Sequence, residues 1–248
     1  MKEVSLDFIN SMDALTLEQL DSVALMNRID RKYVLKSNEL QLLISEITSN
    51  YYVLQIDGHR MFTYENNYFD TKDLQFYFNH HNGYVHRIKV RSRKYVETNA
   101  SFFEIKRKEK VDRTFKYREV LGDIINKISD SALKTVQSFT RKPTTELEMT
   151  LKNTFRRVTF VKKDFSERMT IDFNLIFEDD TDKVEMTNHY VLELKQSKSN
   201  SRSNISEILK KNNIREKSFS KYVFGIISLK KNIKKNNFLP LLKTLNKP

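Results

Sequence analysis

The stretch Arg87-Ile88-Lys89-Val90-Arg91-Ser92-Arg93-Lys94-Tyr95 carries a basic side chain at every second position from Arg87 to Arg93. In a β-strand successive side chains point to opposite faces, so Arg87, Lys89, Arg91, Arg93 and Tyr95 line one side, with Ile88, Val90 and Ser92 on the other. A polar turn around Thr98-Asn99-Ala100 leads into a second strand, with Glu104, Lys106 and Lys108 on one face and Phe103 and Ile105 opposite. The two predict an antiparallel pair that is cationic on one side and apolar on the other.

The same alternation recurs outward from this pair. Arg28, Asp30 and Lys32 share a face in Arg28 to Leu35, and Lys116 and Arg118 stand opposite aromatic residues in Thr114 to Arg118. Thr154 to Phe160 and Glu167 to Phe173 read as two strands joined through Lys162 to Ser166; Arg168, Thr170 and Asp172 face away from Met169, Ile171 and Phe173. In Tyr190 to Lys195, Glu193 and Lys195 oppose Leu192 and Leu194. Asp57-Gly58 marks a turn between Tyr51 to Ile56 and Phe62 to Thr71, which predicts another hairpin. Helical spacing is read over Ser11 to Met26, Ser37 to Ile47, Leu121 to Phe139, Thr144 to Leu151, Ile205 to Leu209 and Phe219 to Leu229. Asp70 and Thr71 are positioned to cap a short helix that ends near His80-His81, which are read as loop histidines.

Composition narrows the chemistry. Across 248 residues the formal net charge is +12 and charged residues make up 31%, so the expected ligand is an anion. There is no cysteine, which removes disulfides, thiolate metal sites and cysteine nucleophiles. Four glycines, with no GxxxxGK or GxGxxG pattern, leave side chains rather than a glycine loop to bind any phosphate. No apolar run approaches the roughly 20 residues needed to cross a bilayer, and the N-terminus lacks a signal-peptide core, so a cytoplasmic protein is expected.

One such strand is ordinarily half-buried, with its charges in water. Repetition of the pattern changes the reading. A sheet curled so that its charged faces turn inward, beneath helices such as Leu40 to Ile47 and Leu121 to Phe139, would form a cationic tunnel. Each close pair of like charges then costs on the order of several kcal/mol at an effective dielectric of about 20, a cost that an anionic ligand relieves. A chain of phosphates suits such a lining better than one phosphate.

Together these segments resemble the VTC-type polyphosphate polymerase domain of the triphosphate tunnel metalloenzyme superfamily, which also contains the CYTH phosphatases. The resemblance is carried by Arg28-x-Asp30-x-Lys32-Tyr33, Tyr68-Phe69-Asp70-Thr71, Arg91-x-Arg93-x-Tyr95, Phe103-Glu104-Ile105-Lys106, Phe155-x-Arg157, Arg168-x-Thr170-x-Asp172, Glu193-x-Lys195 and Ser220-Lys221-Tyr222. It implies an α+β fold, an antiparallel β-barrel tunnel of about eight strands with helices packed outside. The implied limits are a helical lead-in over residues 1–27, the tunnel domain over 28–229 and a basic tail over 230–248, the tail being expected to fray in solvent. By resemblance, Lys32, Arg91, Arg93, Lys106, Arg157 and Arg168 hold the triphosphate and the growing chain and carry catalysis. Ser220 and Lys221 supply a contact from the C-terminal helix. Arg28, Arg87, Lys89, Lys108, Arg118 and Lys195 share the same faces and complete the phosphate-binding candidates. Glu193 is the implied ligand of Mn²⁺ or Mg²⁺, with Asp172 or Glu104 as second acid.

Two departures from the family pattern stand out. The first strand has Arg28 and Asp30 where CYTH enzymes carry acids, which favours a polymerase. Ser218 precedes Phe219 where polymerases often carry lysine; the nearest lysine is Lys217. The implied reaction is transfer of the terminal phosphate of ATP to inorganic polyphosphate. Hydrolysis of inorganic or other triphosphates, and polyphosphate binding without turnover, are the alternatives. Nucleic acid is not an expected partner, because the cations follow strand period rather than an exposed helix face. A separate membrane-protein partner is expected for any translocation, and the oligomeric state is open.

Overall fold

The computed structural model describes residues 4–22, 28–109, 114–140, 144, 146–197 and 203–245. Its elements in chain order are β1 (Ala14–Leu15), α1 (Leu17–Ser22), β2 (Arg28–Lys36), α2 (Ser37–Gln41), α3 (Ile44–Asn50), β3 (Tyr51–Leu54), β4 (Phe62–Asp70), α4 (Gln75–His81), β5 (Ile88–Tyr95), β6 (Ala100–Lys108) and β7 (Thr114–Leu121). They continue with α5 (Asp130–Phe139), β8 (Glu148–Lys162), β9 (Glu167–Glu178), β10 (Lys183–Met186), β11 (His189–Ser197), α6 (Asn204–Lys211), α7 (Lys221–Leu229) and α8 (Leu239–Leu245). The main path of hydrogen-bonded strands is β2-β11-β9-β8-β4-β5-β6-β7. The class is the expected one, α+β with an antiparallel strand path and helices on its apolar side. No helix among the described residues is long and apolar enough to cross a membrane.

The chain divides into two compact units. The first comprises Met1–Thr63, Phe155–Leu175 and Met186–Phe219. Its core takes one side of each strand: Tyr33 and Leu35 of β2, Leu192 and Leu194 of β11, Met169 and Ile171 of β9, and Val158 and Phe160 of β8. Leu40 of α2, Leu43 between α2 and α3, and Ile47 of α3, with Ile205 and Leu209 from α6, cover that side. The strand period of two therefore leaves Lys32, Glu193, Lys195, Asp172 and Arg157 on the opposite side. Arg60 fastens the lead-in, its Nη1 donating to the carbonyls of Ile9, Asn10 and Met12.

The second unit comprises Tyr64–Thr154, Ile176–Glu185 and Ser220–Pro248. Phe69, Ile88, Val90, Phe103 and Ile105 pack with Phe76 of α4 and Val136 of α5. Arg91, Arg93, Glu104 and Lys106 again occupy the other strand positions.

Several local expectations are corrected. The predicted hairpin between Tyr51 to Ile56 and Phe62 to Thr71 does not form. Asp57 and Gly58, at φ 49° and 80°, make a turn closed by a lone Ile56–His59 bridge. β3 pairs instead with β1 and β8, because its buried Tyr51, Val53 and Leu54 need partners that a solvent-facing hairpin does not supply. The lead-in is not wholly helical: α1 is short, β1 is extended, and residues 23–27 lie outside the described residues. The Ser37 to Ile47 helix breaks at Leu42-Leu43.

Of Leu121 to Phe139, only Asp130–Phe139 is helical, starting where Ser129 Oγ accepts the Ala132 N–H at 3.2 Å. Ile125 and Ile128 reach the same core from irregular chain. Residues Glu148 to Leu151, predicted helical, open β8, because pairing within the sheet overrides a weak helical spacing. The tail makes packing contacts at Lys234 and Phe238. Phe238 lies against the rings of Tyr77, His80 and His81, and Lys234 O accepts the Tyr77 hydroxyl at 2.7 Å. The two histidines belong to α4 rather than to a loop.

Candidate functional site

In the first unit the ladder sets polar side chains in ranks across β2, β11 and β9. One rank is Lys32–Glu193–Thr170, and the next is Asp30–Lys195–Arg168. Residues paired across a ladder share a face, so these groups are neighbours. Lys32 Nζ is ion-paired with Glu193 Oε1, and Lys195 Nζ stands 3.8 Å from Glu193 Oε2. On the same face Arg157 grips Asp172 through two bonds, Nε to Oδ1 at 2.5 Å and Nη2 to Oδ2 at 2.8 Å. Burial pushes the Glu193 carboxyl up, but the charges of Lys195, Lys32 and Arg157 outweigh it and hold the group well below the usual carboxylate range. Burial, with Arg157 and Arg168 adding to it against Glu193 and Asp30, pushes Lys195 down to about 8.

In the second unit the ranks cross β5, β6 and β7. The first is Lys89–Lys106–Lys116, three lysines in register. The second is Arg91–Glu104–Arg118, joined on the Arg91 side by Tyr68 of β4. Glu104 is saturated: Arg91 holds Oε2 through Nε at 2.6 Å and Nη2 at 2.5 Å, while Arg118 holds Oε1 through Nη2 at 2.6 Å and Nε at 3.0 Å. Burial raises its pKa, but Arg91 and Arg93 pull it well below the usual range. Arg93 begins the third rank, donating to Asn66 Oδ1 at 2.7 Å with its guanidinium 5.0 Å from the Tyr64 ring centroid. The charge of Arg91, then burial, then Arg93, depress the Lys106 ammonium far below its ordinary 10.5. Lys89 Nζ donates to Ser220 Oγ at 2.7 Å, and Ser220 caps α7 by accepting the Val223 N–H at 3.4 Å.

The structure thus brings together Lys32, Arg157, Arg168, Asp172, Glu193 and Lys195 in one unit, and Lys89, Arg91, Arg93, Glu104, Lys106, Arg118 and Ser220 in the other, where Lys221 follows Ser220 as the first residue of α7. Arg87 precedes β5 and turns its Nη1 to the Tyr84 carbonyl at 3.2 Å, while Lys108 is exposed at the end of β6. Arg28 opens β2 opposite Ser197; its side chain lies outside the described residues. The Lys217 N–H donates to the Lys32 carbonyl at 2.7 Å. Lys116 was absent from the sequence-based candidates, although its alternation with Arg118 marked it.

Among the described residues no group of three or more His, Asp or Glu side chains gathers to hold a metal ion. Arginine forks occupy both oxygens of Asp172 and of Glu104. Glu193 holds one oxygen on Lys32 and has the other at a looser 3.8 Å from Lys195. One carboxylate suits Mg²⁺ or Mn²⁺ that draws its other oxygen ligands from water and phosphate, which is how Mg²⁺ is usually held. The donor set fits a metal that arrives with a phosphorylated ligand, not a self-sufficient protein cage.

No curated protein matches the chain. Similar solved structures include a Pyrococcus horikoshii protein at 12% identity, covering 76% of this chain and 91% of its own, with TM-score 0.42. A Hippeastrum protein with a dominant triphosphatase activity is 15% identical, covers 81% and 95%, and has TM-score 0.43. The S. pombe Pct1 RNA triphosphatase is 11% identical, covers 88% and 76%, and has TM-score 0.28. The family model of the VTC domain matches residues 27–230, the span that contains both sets of ranks, and the chain belongs to the VTC domain family.

Proposed function

We propose that this chain is a metal-dependent polyphosphate polymerase that passes the terminal phosphate of ATP to a growing inorganic polyphosphate. The observation that carries the reading is the Lys89–Lys106–Lys116 rank beside the Arg91–Glu104–Arg118 rank. Like charges in register destabilise a sheet unless an anion joins them, and the spacing of successive ranks suits an extended polyanion. Arginine forks on phosphate oxygens orient the group, and lysines add point charge.

In the first unit Lys32, Lys195, Arg157 and Arg168 are the cations for phosphate oxygens, and Glu193 is the carboxylate for Mn²⁺ or Mg²⁺. The metal, when bound, neutralises charge on the transferred phosphoryl group. The residues contribute alignment of donor and acceptor and a fixed positive field; the reading gives them no covalent step. Arg28, where acid-rich triphosphatases carry an acid, supports the polymerase over the hydrolase.

Incubation with ATP and Mn²⁺, followed by polyphosphate gel electrophoresis, tests the reading. Long chains are the expected product. Free phosphate without polymer would make the protein a triphosphatase, and binding without turnover would make it a polyphosphate-binding module.

A further inference from the structure

Asp70 ends β4 with its side chain at 0% exposure, and each partner of its carboxylate recorded in the structure is a donor. Oδ1 accepts the N–H groups of Thr71 at 2.7 Å and Phe76 at 2.8 Å; Oδ2 accepts the N–H of Tyr77 at 2.9 Å and the hydroxyl of Tyr222. The three N–H groups can only donate, whereas the Tyr222 hydroxyl can donate or accept, so the carboxyl group keeps all four partners in either protonation state. Burial holds the pKa of Asp70 above the ordinary carboxylate value, and the hydrogen bonds from Tyr222, Phe76, Tyr77 and Thr71 offset only part of that rise. No role in the mechanism above uses this buried carboxyl group.

Tyr222 is the second residue of α7, two residues after Ser220. The helix approaches its strands closely: a Cβ at Gly225 would stand 2.5 Å from Leu151 Cδ2 and 2.9 Å from Phe177 Cδ1. Close packing at Gly225 sets the depth of the helix, and the Tyr222 hydroxyl sets its rotation at the end that carries Ser220. The Tyr222 ring also lies 5.3 Å from that of Tyr68, whose hydroxyl accepts from Arg91 Nη1 at 3.4 Å. One buried carboxylate thus ties down both Ser220, beside Lys89, and the tyrosine that supports Arg91.

We propose that Asp70 is a positioning residue, which through the Tyr222 hydroxyl holds the start of α7 so that Ser220 and Lys89 present a joint contact to a phosphate chain. This rests on the phosphate-binding reading above. Tyr222→Phe removes one oxygen and leaves the ring packing intact, which makes it the test, with inorganic tripolyphosphate as the ligand in calorimetry.

Loss of one hydrogen bond to a charged group predicts that Tyr222→Phe and Ser220→Ala each weaken binding about tenfold. The double variant is expected to bind no more weakly than either single, because both remove the same contact. Combined with Arg157→Ala, a cation of the first unit, the Tyr222→Phe effect should multiply. Binding by Tyr222→Phe equal to wild type would overturn the proposal, as would multiplicative losses with Ser220→Ala or a Ser220→Ala variant without effect. A Tyr222→Phe chain that does not fold would make the contact one of overall stability and equally overturn it. A wild-type chain that does not bind tripolyphosphate would remove the functional reading and the positioning role with it.

Discussion

The two units use the same strand alternation for different electrostatic ends. In the first, each charged rank holds its own acid: Glu193 beside Lys32, Asp30 beside Lys195 and Arg168, and Asp172 under the Arg157 fork. In the second, the only acid in the three ranks across β5, β6 and β7 is Glu104, and the lysine rank has none. The first face is nearly neutral when empty and carries one carboxylate that a metal can share. The second is loaded with like charge and depends on an anion. Under the proposed function the first face offers a carboxylate to a metal, and the second offers cations to phosphate oxygens.

Glu193→Gln attacks the first face and carries the largest expected effect. It keeps the shape and one acceptor but removes the charge that suits a divalent cation. Turnover is expected to fall on the order of 100-fold or more, the range seen when a preorganised electrostatic group is deleted. Tripolyphosphate binding without metal should hold or improve, because Lys32 and Lys195 lose a competing anion. Unchanged turnover with an intact metal requirement would end the division of labour between the faces.

Much of this contrast was legible in the chain. Period two placed Arg91, Arg93, Lys106, Glu193 and Lys195 on the charged sides and Ile105, Leu192 and Ile171 on the buried sides, since alternation is a local property of strands. Pairing is not local. Nothing in Asp57-Gly58 tells that β3 leaves its neighbour for β1 and β8, or that Glu148 to Leu151 joins a long strand rather than a helix. Register was equally hidden. Lys116 became a partner of Lys106 only once β6 and β7 were aligned, and the position of Glu104 as the shared acceptor of Arg91 and Arg118 was hidden for the same reason. The cap at Asp70 was visible, but its bond to Tyr222, 152 residues away, was not.

Lys106→Met tests the second face and has an intermediate expected effect. Removing the middle lysine of the rank should weaken tripolyphosphate binding about tenfold, the equivalent of roughly 1.4 kcal/mol. The empty protein should gain stability, because half-buried Lys106 sits beside the like charges of Arg91, Arg93 and Lys116. A gain of about 1 kcal/mol corresponds to a rise of roughly 2–4 °C in Tm for a chain of this size. Opposite signs for stability and binding are the mark of a face built against its own repulsion. A fall in both would show instead that Lys106 serves packing through its alkyl stem.

The smallest effect is in protons. Arg91, burial and Arg93 place the folded pKa of Lys106 below 10.5, its ordinary value. Between that lowered value and 10.5 the unfolded chain binds a proton at this lysine that the folded chain does not. The contribution of Lys106 to stability therefore rises with pH through that window and is flat below it. A bound phosphate chain supplies opposite charge and draws the pKa back up, so binding within the window takes up a proton, by less than about one per site. Calorimetry of tripolyphosphate binding in buffers of different ionisation enthalpy reads this number directly. Proton uptake that shrinks in Lys106→Met would place the linkage at the lysine rank. Uptake unchanged in that variant would move it to the first face, where burial pushes Lys195 down to about 8, and would erase the electrostatic distinction between the two.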